Sequence, residues 1–184
     1  TVPGDAPAFI QNVTALLMQQ KGDDLPVSAM PVAGTWPTAT TTYEKRNIAV
    51  EIPEWNKDLC IQCGQCSLVC PHAAIRIKAF DESATAGAPA DFKCVDAKGK
   101  DLAGKKFTVQ VAPEDCTGCG ACVQKCPGME RDKETKKPTG NKAIMMADQL
   151  PIRDREAANW EFFLGIPETD PTLFKRETIK GSQF

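Results

Sequence analysis

The stretch CIQCGQCSLVCP (residues 60–71) shares its cysteine spacing with CTGCGACVQKCP (residues 116–127). Both read Cys-x2-Cys-x2-Cys-x3-Cys-Pro, a spacing that is typical of [4Fe–4S] ligands. The two-residue gaps allow a tight loop to turn three thiolates, and the backbone N–H groups between them, toward one cluster. The fourth cysteine is expected at the start of a helical turn that points away from this loop. In proteins with two such runs, that cysteine binds the other cluster.

The two runs therefore predict crossed sets of ligands, and these eight cysteines are the whole candidate site for metal and cofactor. The first ligand set is Cys60, Cys63, Cys66 and Cys126. The second ligand set is Cys116, Cys119, Cys122 and Cys70. A pair of structural zinc sites is the alternative, but zinc ligands usually come as separated two-cysteine knuckles rather than as contiguous four-cysteine runs.

The runs belong to a longer internal repeat. Placing Cys60 on Cys116, an offset of 56 residues, also places Gly64 on Gly120. Segments typical of strands flank both runs, at residues 48–55, 75–79, 107–111 and 143–146. The predicted fold class is α+β: a ferredoxin-like dicluster fold with an internal pseudo-twofold duplication, plus an N-terminal arm and a C-terminal helix and tail.

Residues 1–49 are predicted to form a linker arm. Apolar residues recur at helical spacing over residues 7–20, and an extended strap rich in proline and threonine follows at residues 25–43. We expect this arm to lie on another protein surface, and a flexible leader is the alternative. Since the chain begins at Thr1 rather than at a methionine, we expect it to be a processed or excised piece of something larger.

The remaining chain is predicted to divide into a domain and a tail. Residues 50–149 form the two-[4Fe–4S] domain, with polar insertions near residues 81–106 and 128–141 that are expected at the surface. In residues 75–79 the apolar positions alternate with Arg76 and Lys78, as in a half-buried strand. Residues 150–184 form a helix and a connecting tail that leads to a further domain or docks on one.

Composition excludes several classes of partner. The net charge is −2 with both signs mixed along the chain, so no basic stripe indicates nucleic acid. No apolar run reaches the roughly 18 residues of a membrane span, and the N-terminus lacks the pattern of a signal peptide. Eight of the nine cysteines fall in the two runs, so a reducing cytoplasm is the expected compartment rather than an oxidising one.

A few other residues are weaker candidates. Cys94 is expected to be a buried thiol, with a redox role or a third centre as alternatives. His72 directly follows the first run, and we favour packing or capping over a proton-coupled role. Lys57, Arg76 and Lys125 lie near ligands in sequence, where they either raise cluster potentials or are solvated. The sequence contains no phosphate loop, nucleophile set or carboxylate pair, so no catalytic residue is predicted.

The amino-acid sequence around the first run resembles that of a known family. YEKRNIAVEIPEWNKDLCIQCGQCSLVCPHAAIR (residues 43–76), preceded by GTWPTATTT, is similar to the ferredoxin-like region of the pyruvate:ferredoxin (flavodoxin) oxidoreductases. The likeness extends to PEDCTGCGACVQKCP (residues 113–127) and to the ending ANWEFFLGIPETD and FKRETIKGSQF. It covers nearly the whole chain and is far more specific than the cysteine spacing.

This resemblance implies a large multidomain enzyme, expected to be homodimeric, that oxidatively decarboxylates pyruvate with coenzyme A on thiamine diphosphate. It implies that electrons leave through three [4Fe–4S] clusters, of which the medial and distal ones sit in this region, toward ferredoxin or flavodoxin. The eight cysteines of the two runs carry over as the medial and distal ligands. Thiamine diphosphate and the third cluster are expected only in domains that this chain lacks. A free-standing dicluster ferredoxin-type carrier is the alternative.

Overall fold

The computed structural model describes residues 2–45 and 47–184. The chain divides into two compact units, Thr1–Arg46 and Asn47–Phe184. None of the helices within these described ranges is both long and apolar enough to cross a membrane.

The first unit is built on one short helix. A π-helical stretch, Ile10–Thr14, continues directly into α1, Ala15–Met18, so the helical residues fall inside the segment for which the sequence predicts a helix. Ile10 and Val13 are buried, and the rings of Phe9 and Trp36 meet edge to face with centroids 4.9 Å apart. A short 3₁₀ helix, Gly22–Asp24, precedes the strap, and two more, Val27–Ala29 and Thr40–Tyr43, interrupt it.

The second unit contains two sheets that flank the cysteine runs. β1 (Glu51–Trp55) pairs antiparallel with β7 (Ile144–Asp148), with Trp55 opposite Ile144. β2 (Ile75–Phe80) pairs antiparallel with β4 (Lys106–Val111), and the short β3 (Val95–Asp96) extends this sheet on the other edge of β4. Each of the two long pairings joins the strand before one run to the strand after the other.

Three α-helices lie among the described residues of this unit. α2 (Gln65–Val69) and α3 (Ala121–Lys125) lie within the cysteine runs, and α4 (Gln149–Gly165) follows β7. α4 packs on β4 and buries Asn159 and Phe163. Because α4 covers one face of the sheet and the cysteine loops cover the other, β4 is buried on both faces. The mixed helix and strand class that the sequence predicts is confirmed.

The core lies between the sheets and the two cysteine loops. It is formed by large apolar side chains together with two of the cysteines: Trp55, Ile75, Ile77, Phe107, Val109, Val111, Cys122, Cys126, Ala143 and Ile144. Burial of this apolar surface stabilises the loops that carry the ligands.

Two details differ from the sequence expectations. The fourth cysteine of each run does not begin a helical turn; Cys70 and Cys126 instead end α2 and α3 in extended backbone. The residue before a proline disfavours the helical region, so each Cys-Pro pair terminates the helix that precedes it. The second insertion is a β-hairpin of β5 (Met129–Arg131) and β6 (Pro138–Lys142), although its sequence lacks strand alternation.

Candidate metal centre

The cysteines of the two runs line two separate cavities. One cavity is lined by Cys60, Cys63, Cys66 and Cys126 among apolar side chains that include Ile77 and Phe107. The other is lined by Cys70, Cys116, Cys119 and Cys122 together with Pro53, Ile75, Val111 and Met146. Each cavity thus gathers three cysteines of one run and the fourth cysteine of the other.

The arrangement of the sulfurs suits a group larger than a single ion. Within residues 2–45 and 47–184, no three histidine, cysteine, aspartate or glutamate side chains are placed to hold one metal ion. A zinc ion needs its ligands about 2.0 to 2.3 Å from a common point. Here the four sulfurs of each set lie around the wall of a cavity, which is what a multi-iron cluster requires.

Burial of the thiols affects how they ionise. It raises the pKa of Cys60 and Cys116, and it raises the pKa of Cys66 to about 12 and that of Cys122 to about 11. These four thiols are therefore protonated near neutral pH when no metal is bound. Because metal ligands must be thiolates, filling these sites releases protons.

Backbone N–H groups point at the first sulfur of each run. The N–H of Gln62 donates to Cys60 Sγ at 3.3 Å, and the N–H of Gly118 donates to Cys116 Sγ at 3.4 Å. Both residues have positive φ, 58° and 71° respectively, which turns the amide inward. This is the inward-facing amide that the two-residue gaps predict, and such donors stabilise negative charge on sulfur.

An indole N–H offers a further donor to the first ligand set. Trp55 is buried, and its Nε1 has no short hydrogen-bond acceptor among the residues that the structure describes. Cys60 packs against the same core. Burial raises the pKa of the Cys60 thiol, and the nearby Trp55 side chain opposes that rise. The buried indole N–H therefore fits a site that holds a sulfur-rich group.

A polar network anchors the first insertion to the first cysteine loop. Gln62, which is only 2% exposed, donates from Nε2 to Asp96 O at 2.8 Å and accepts the Lys98 N–H at 2.7 Å. Lys98 Nζ in turn donates a hydrogen bond to Cys60 O at 2.9 Å. Sequence reasoning missed these residues, and the one available signal was that Gln62 stands where the second run has Gly118.

Lys180 is a second residue that the sequence did not reveal. Its Nζ donates to Lys98 O at 2.7 Å and lies 3.5 Å from Gln62 Oε1. Burial lowers the pKa of Lys180, and the nearby Cys60 opposes that shift. No local pattern links it to the site, because 118 positions separate it from Gln62.

The weaker candidates lie outside the walls of the two cavities, with one exception. Lys57, Arg76 and Lys125 are exposed, and the Arg76 guanidinium lies 5.5 Å from the centroid of the Trp160 ring. His72 is exposed and lines the cavity of the second ligand set. Cys94 is half-buried rather than buried, and burial raises the pKa of its thiol.

Comparisons with known proteins bear on the same residues. Residues 59–128 match a family model described as a 4Fe-4S dicluster domain. Residues 1–49 match another described as a domain of unknown function. The chain therefore carries a domain for two [4Fe–4S] clusters.

Three relatives show the wider similarity. Pyruvate-flavodoxin oxidoreductase of Nostoc sp. is 51% identical over 178 residues, which are 97% of this chain and 14% of the relative. Pyruvate:ferredoxin oxidoreductase of Moorella thermoacetica is 46% identical over 180 residues, 98% of this chain and 14% of the relative. A protein of Synechocystis sp. that carries a provisional pyruvate-flavodoxin oxidoreductase name is 53% identical over 182 residues, which are 99% of this chain and 15% of the relative.

The resemblance to the pyruvate:ferredoxin (flavodoxin) oxidoreductases is confirmed. The chain is similar to these oxidoreductases over nearly its whole length, but it spans only about 15% of the length of the curated relatives it matches. It thus corresponds to the dicluster segment of much longer proteins.

Proposed function

We propose that this chain is the electron-relay segment of a pyruvate:ferredoxin or pyruvate:flavodoxin oxidoreductase. In this role it receives electrons from thiamine-dependent pyruvate oxidation in other domains and passes them to ferredoxin or flavodoxin. The observation that carries the proposal is the pair of cavities, each lined by four cysteines in a largely apolar wall. Bound [4Fe–4S] clusters supply reversible one-electron transfer, and the protein adjusts their potentials through burial and hydrogen bonds to sulfur.

The crossed ligand sets are part of this proposal. The first set is Cys60, Cys63, Cys66 and Cys126, and the second set is Cys116, Cys119, Cys122 and Cys70. The lining of the two cavities supports this assignment. The pairing of β1 with β7 and of β2 with β4 supports a pseudo-twofold duplication. In each pair, the strand before one run lies beside the strand after the other run.

The proposed organisation places the relay between other parts of a larger protein. Residues 1–49 and 150–184 act as the connecting arm and the helix with its tail, and residues 50–149 form the dicluster domain with its two insertions. The partners are the remaining domains of a homodimeric parent enzyme, where thiamine diphosphate and a third cluster belong, and the carrier that accepts the electrons. The cytoplasm is the proposed compartment, since free thiols persist under reducing conditions.

Cluster content and electron delivery test the function. After anaerobic reconstitution, iron and sulfide analysis is expected to give about eight of each per chain, the total for two four-iron clusters. Stopped-flow mixing of the reduced chain with oxidised flavodoxin or ferredoxin is expected to reoxidise the clusters as the carrier is reduced. Zinc in place of iron, or no electron delivery to either carrier, contradicts the proposal.

A pair of variants tests the crossed ligands. Cys70→Ala is expected to damage the cluster on Cys116, Cys119 and Cys122, while Cys66→Ala is expected to damage the other cluster. Electron paramagnetic resonance of the reduced chains distinguishes the two signals. If Cys70→Ala and Cys66→Ala remove the same signal, each run holds its own cluster and the crossed assignment is wrong.

A further inference from the structure

The C-terminal segment Phe174–Phe184 lies directly on the first cysteine loop. A Cβ placed on Gly64, between Cys63 and Cys66, would lie 3.1 Å from Lys180 Cα and 3.6 Å from Gln183 Cγ. The Phe184 ring meets Phe174 with centroids 4.7 Å apart, and it meets Phe107 edge to face at 6.5 Å. Phe107 lines the cavity of the first ligand set, so the segment packs against the outer side of that cavity's wall.

The second cysteine loop has no such cover in the described structure. No described atom lies within 4 Å of a Cβ placed on Gly120, the counterpart of Gly64. Cys119 is exposed, whereas its counterpart Cys63 is half-buried. Two loops of the same spacing therefore present their ligands to different surroundings.

Within the cover, the ammonium group of Lys180 is held in place. Its Nζ donates to Lys98 O at 2.7 Å and lies 3.5 Å from Gln62 Oε1. It also lies 5.3 Å from the centroid of the Phe107 ring. Gln62 and Phe107 both line the cavity of the first ligand set, so the positive charge stands just behind the wall of that cavity.

We propose that Lys180 raises the reduction potential of the group held by Cys60, Cys63, Cys66 and Cys126 and leaves the potential of the second group unchanged. This inference rests on the proposed function. Reduction adds one electron to a bound cluster without making or breaking a bond, so the site becomes more negative by one charge. A cation held behind the cavity wall stabilises that charge, and the partial burial of Lys180 reduces its screening by solvent. Lys180 acts through its positive charge and does not bind the cluster.

The test is a redox titration of the reconstituted chain with dithionite, monitored by electron paramagnetic resonance. Cys63→Ala and Cys119→Ala, each removing a ligand from one set only, assign the two signals. Lys180→Met is expected to lower the midpoint of the first signal, so that its reduced-to-oxidised ratio at a fixed solution potential falls about three- to tenfold. A tenfold fall corresponds to about 59 mV for one electron. Lys180→Arg keeps the charge and is expected to retain the wild-type midpoint.

Matched variants separate the charge effect from damage to the fold. Lys133→Met removes the same charge from the exposed hairpin and is expected to move neither midpoint. Lys180→Gln keeps a polar side chain and is measured in case Lys180→Met fails to retain both clusters. Iron content near eight per chain with an unchanged first midpoint in Lys180→Met and Lys180→Gln overturns the inference, as does an equal shift of both midpoints. If the wild-type chain forms no pair of clusters, the proposed function itself fails.

Discussion

Gly64 and Gly120 occupy equivalent positions in the two cysteine loops, with φ of 74° and 72°, but only Gly64 is covered by another segment. A Cβ on Gly64 would approach Lys180 Cα to 3.1 Å, whereas a Cβ on Gly120 would meet no described atom within 4 Å. Both glycines begin a short helix, α2 or α3, from the left-handed region that side chains disfavour. The two loops therefore share one backbone requirement and differ in one packing contact.

Replacing each of these glycines with alanine separates the two requirements. Gly120→Ala is expected to cost roughly 1 to 2 kcal/mol from the left-handed backbone alone. Gly64→Ala adds crowding against the Lys180 backbone, so we expect a further loss of roughly 1 kcal/mol or more. The free energy of unfolding in anaerobic urea titrations measures both losses. Equal losses in the two variants would show that the C-terminal segment does not rest on the first loop in solution.

A second prediction concerns Gln62, which has φ of 58° and yet is not a glycine. Gln62→Ala keeps the strained backbone and leaves the Lys98 N–H and Asp96 O without their partner, so a loss of roughly 2 to 3 kcal/mol is expected. Gln62→Gly loses the same hydrogen bonds but relieves the left-handed strain, so its loss is expected to be about 1 kcal/mol smaller.

Urea titration ranks these Gln62 variants, and hydrogen exchange checks the cause. The amide of Lys98 is expected to lose protection in both variants, while that of Val109 in β4 keeps it. A Gln62→Ala chain as stable as the wild type would show that the hydrogen bonds of this side chain contribute nothing.

The difference between Gln62 and Gly118 shows which features of the two loops the sequence alone predicts and which it does not. The two-residue gaps predict backbone N–H groups that face a cluster, and in the structure the N–H groups of both residues donate to the first sulfur of their run. A Cβ on Gly118 would lie 3.1 Å from Glu51 O, at the start of β1, so the second loop has little room for a side chain there. The first loop has room, and Gln62 fills it with contacts to Asp96 and Lys98. That distinction depends on packing between distant segments, which no local pattern records.

Lys78 in β2 is another residue whose surroundings the sequence pattern does not predict. The alternation of Ile75, Ile77 and Ala79 with Arg76 and Lys78 predicts a strand with one polar face, and β2 forms there. Lys78 is nevertheless 4% exposed, because α4 and the segment after it cover the face that the pattern assigns to solvent. The eight cysteines could be predicted as candidate ligands because their spacing is itself the signal of cluster binding, whereas the partners of Lys78 lie more than 80 residues away.

Lys78 gives the third prediction. Its buried ammonium donates to Phe163 O at 3.1 Å and to Ile166 O, at the C-terminal end of α4, and it pairs with Glu168 at 3.0 Å. Lys78→Met is expected to cost roughly 2 to 4 kcal/mol, because the carbonyls at the helix end lose a charged donor. Glu168→Gln is the control: its side chain is 83% exposed, so we expect a change of less than about 0.5 kcal/mol. A larger loss for Glu168→Gln than for Lys78→Met in urea titration would mean that the ion pair, not the helix end, is the stabilising contact.

The fourth prediction concerns the acid dependence of stability at Glu54 in β1. Its Oε1 accepts hydrogen bonds from Lys93 Nζ at 3.2 Å and Arg155 Nη2 at 2.9 Å. Burial works to raise the pKa of Glu54, but the hydrogen bonds and positive charges of Lys93 and Arg155 together outweigh burial and lower this pKa below its ordinary value. A carboxylate whose pKa is lowered by folding contributes stability that is present above its unfolded pKa, near 4.3, and is lost as the pH falls through the folded value.

Comparing wild type with Glu54→Gln over a pH series tests this sign. The wild type is expected to be more stable at pH 7, by less than about 1 kcal/mol because the pair is partly solvated. That difference is expected to close below about pH 4, where the carboxylate takes up a proton and resembles the amide. Glu134→Gln, on the exposed hairpin, removes the same charge away from Lys93 and Arg155 and serves as the control in the same urea titrations. A wild-type advantage that grows as the pH falls would mean that burial, rather than the two cations, dominates at Glu54.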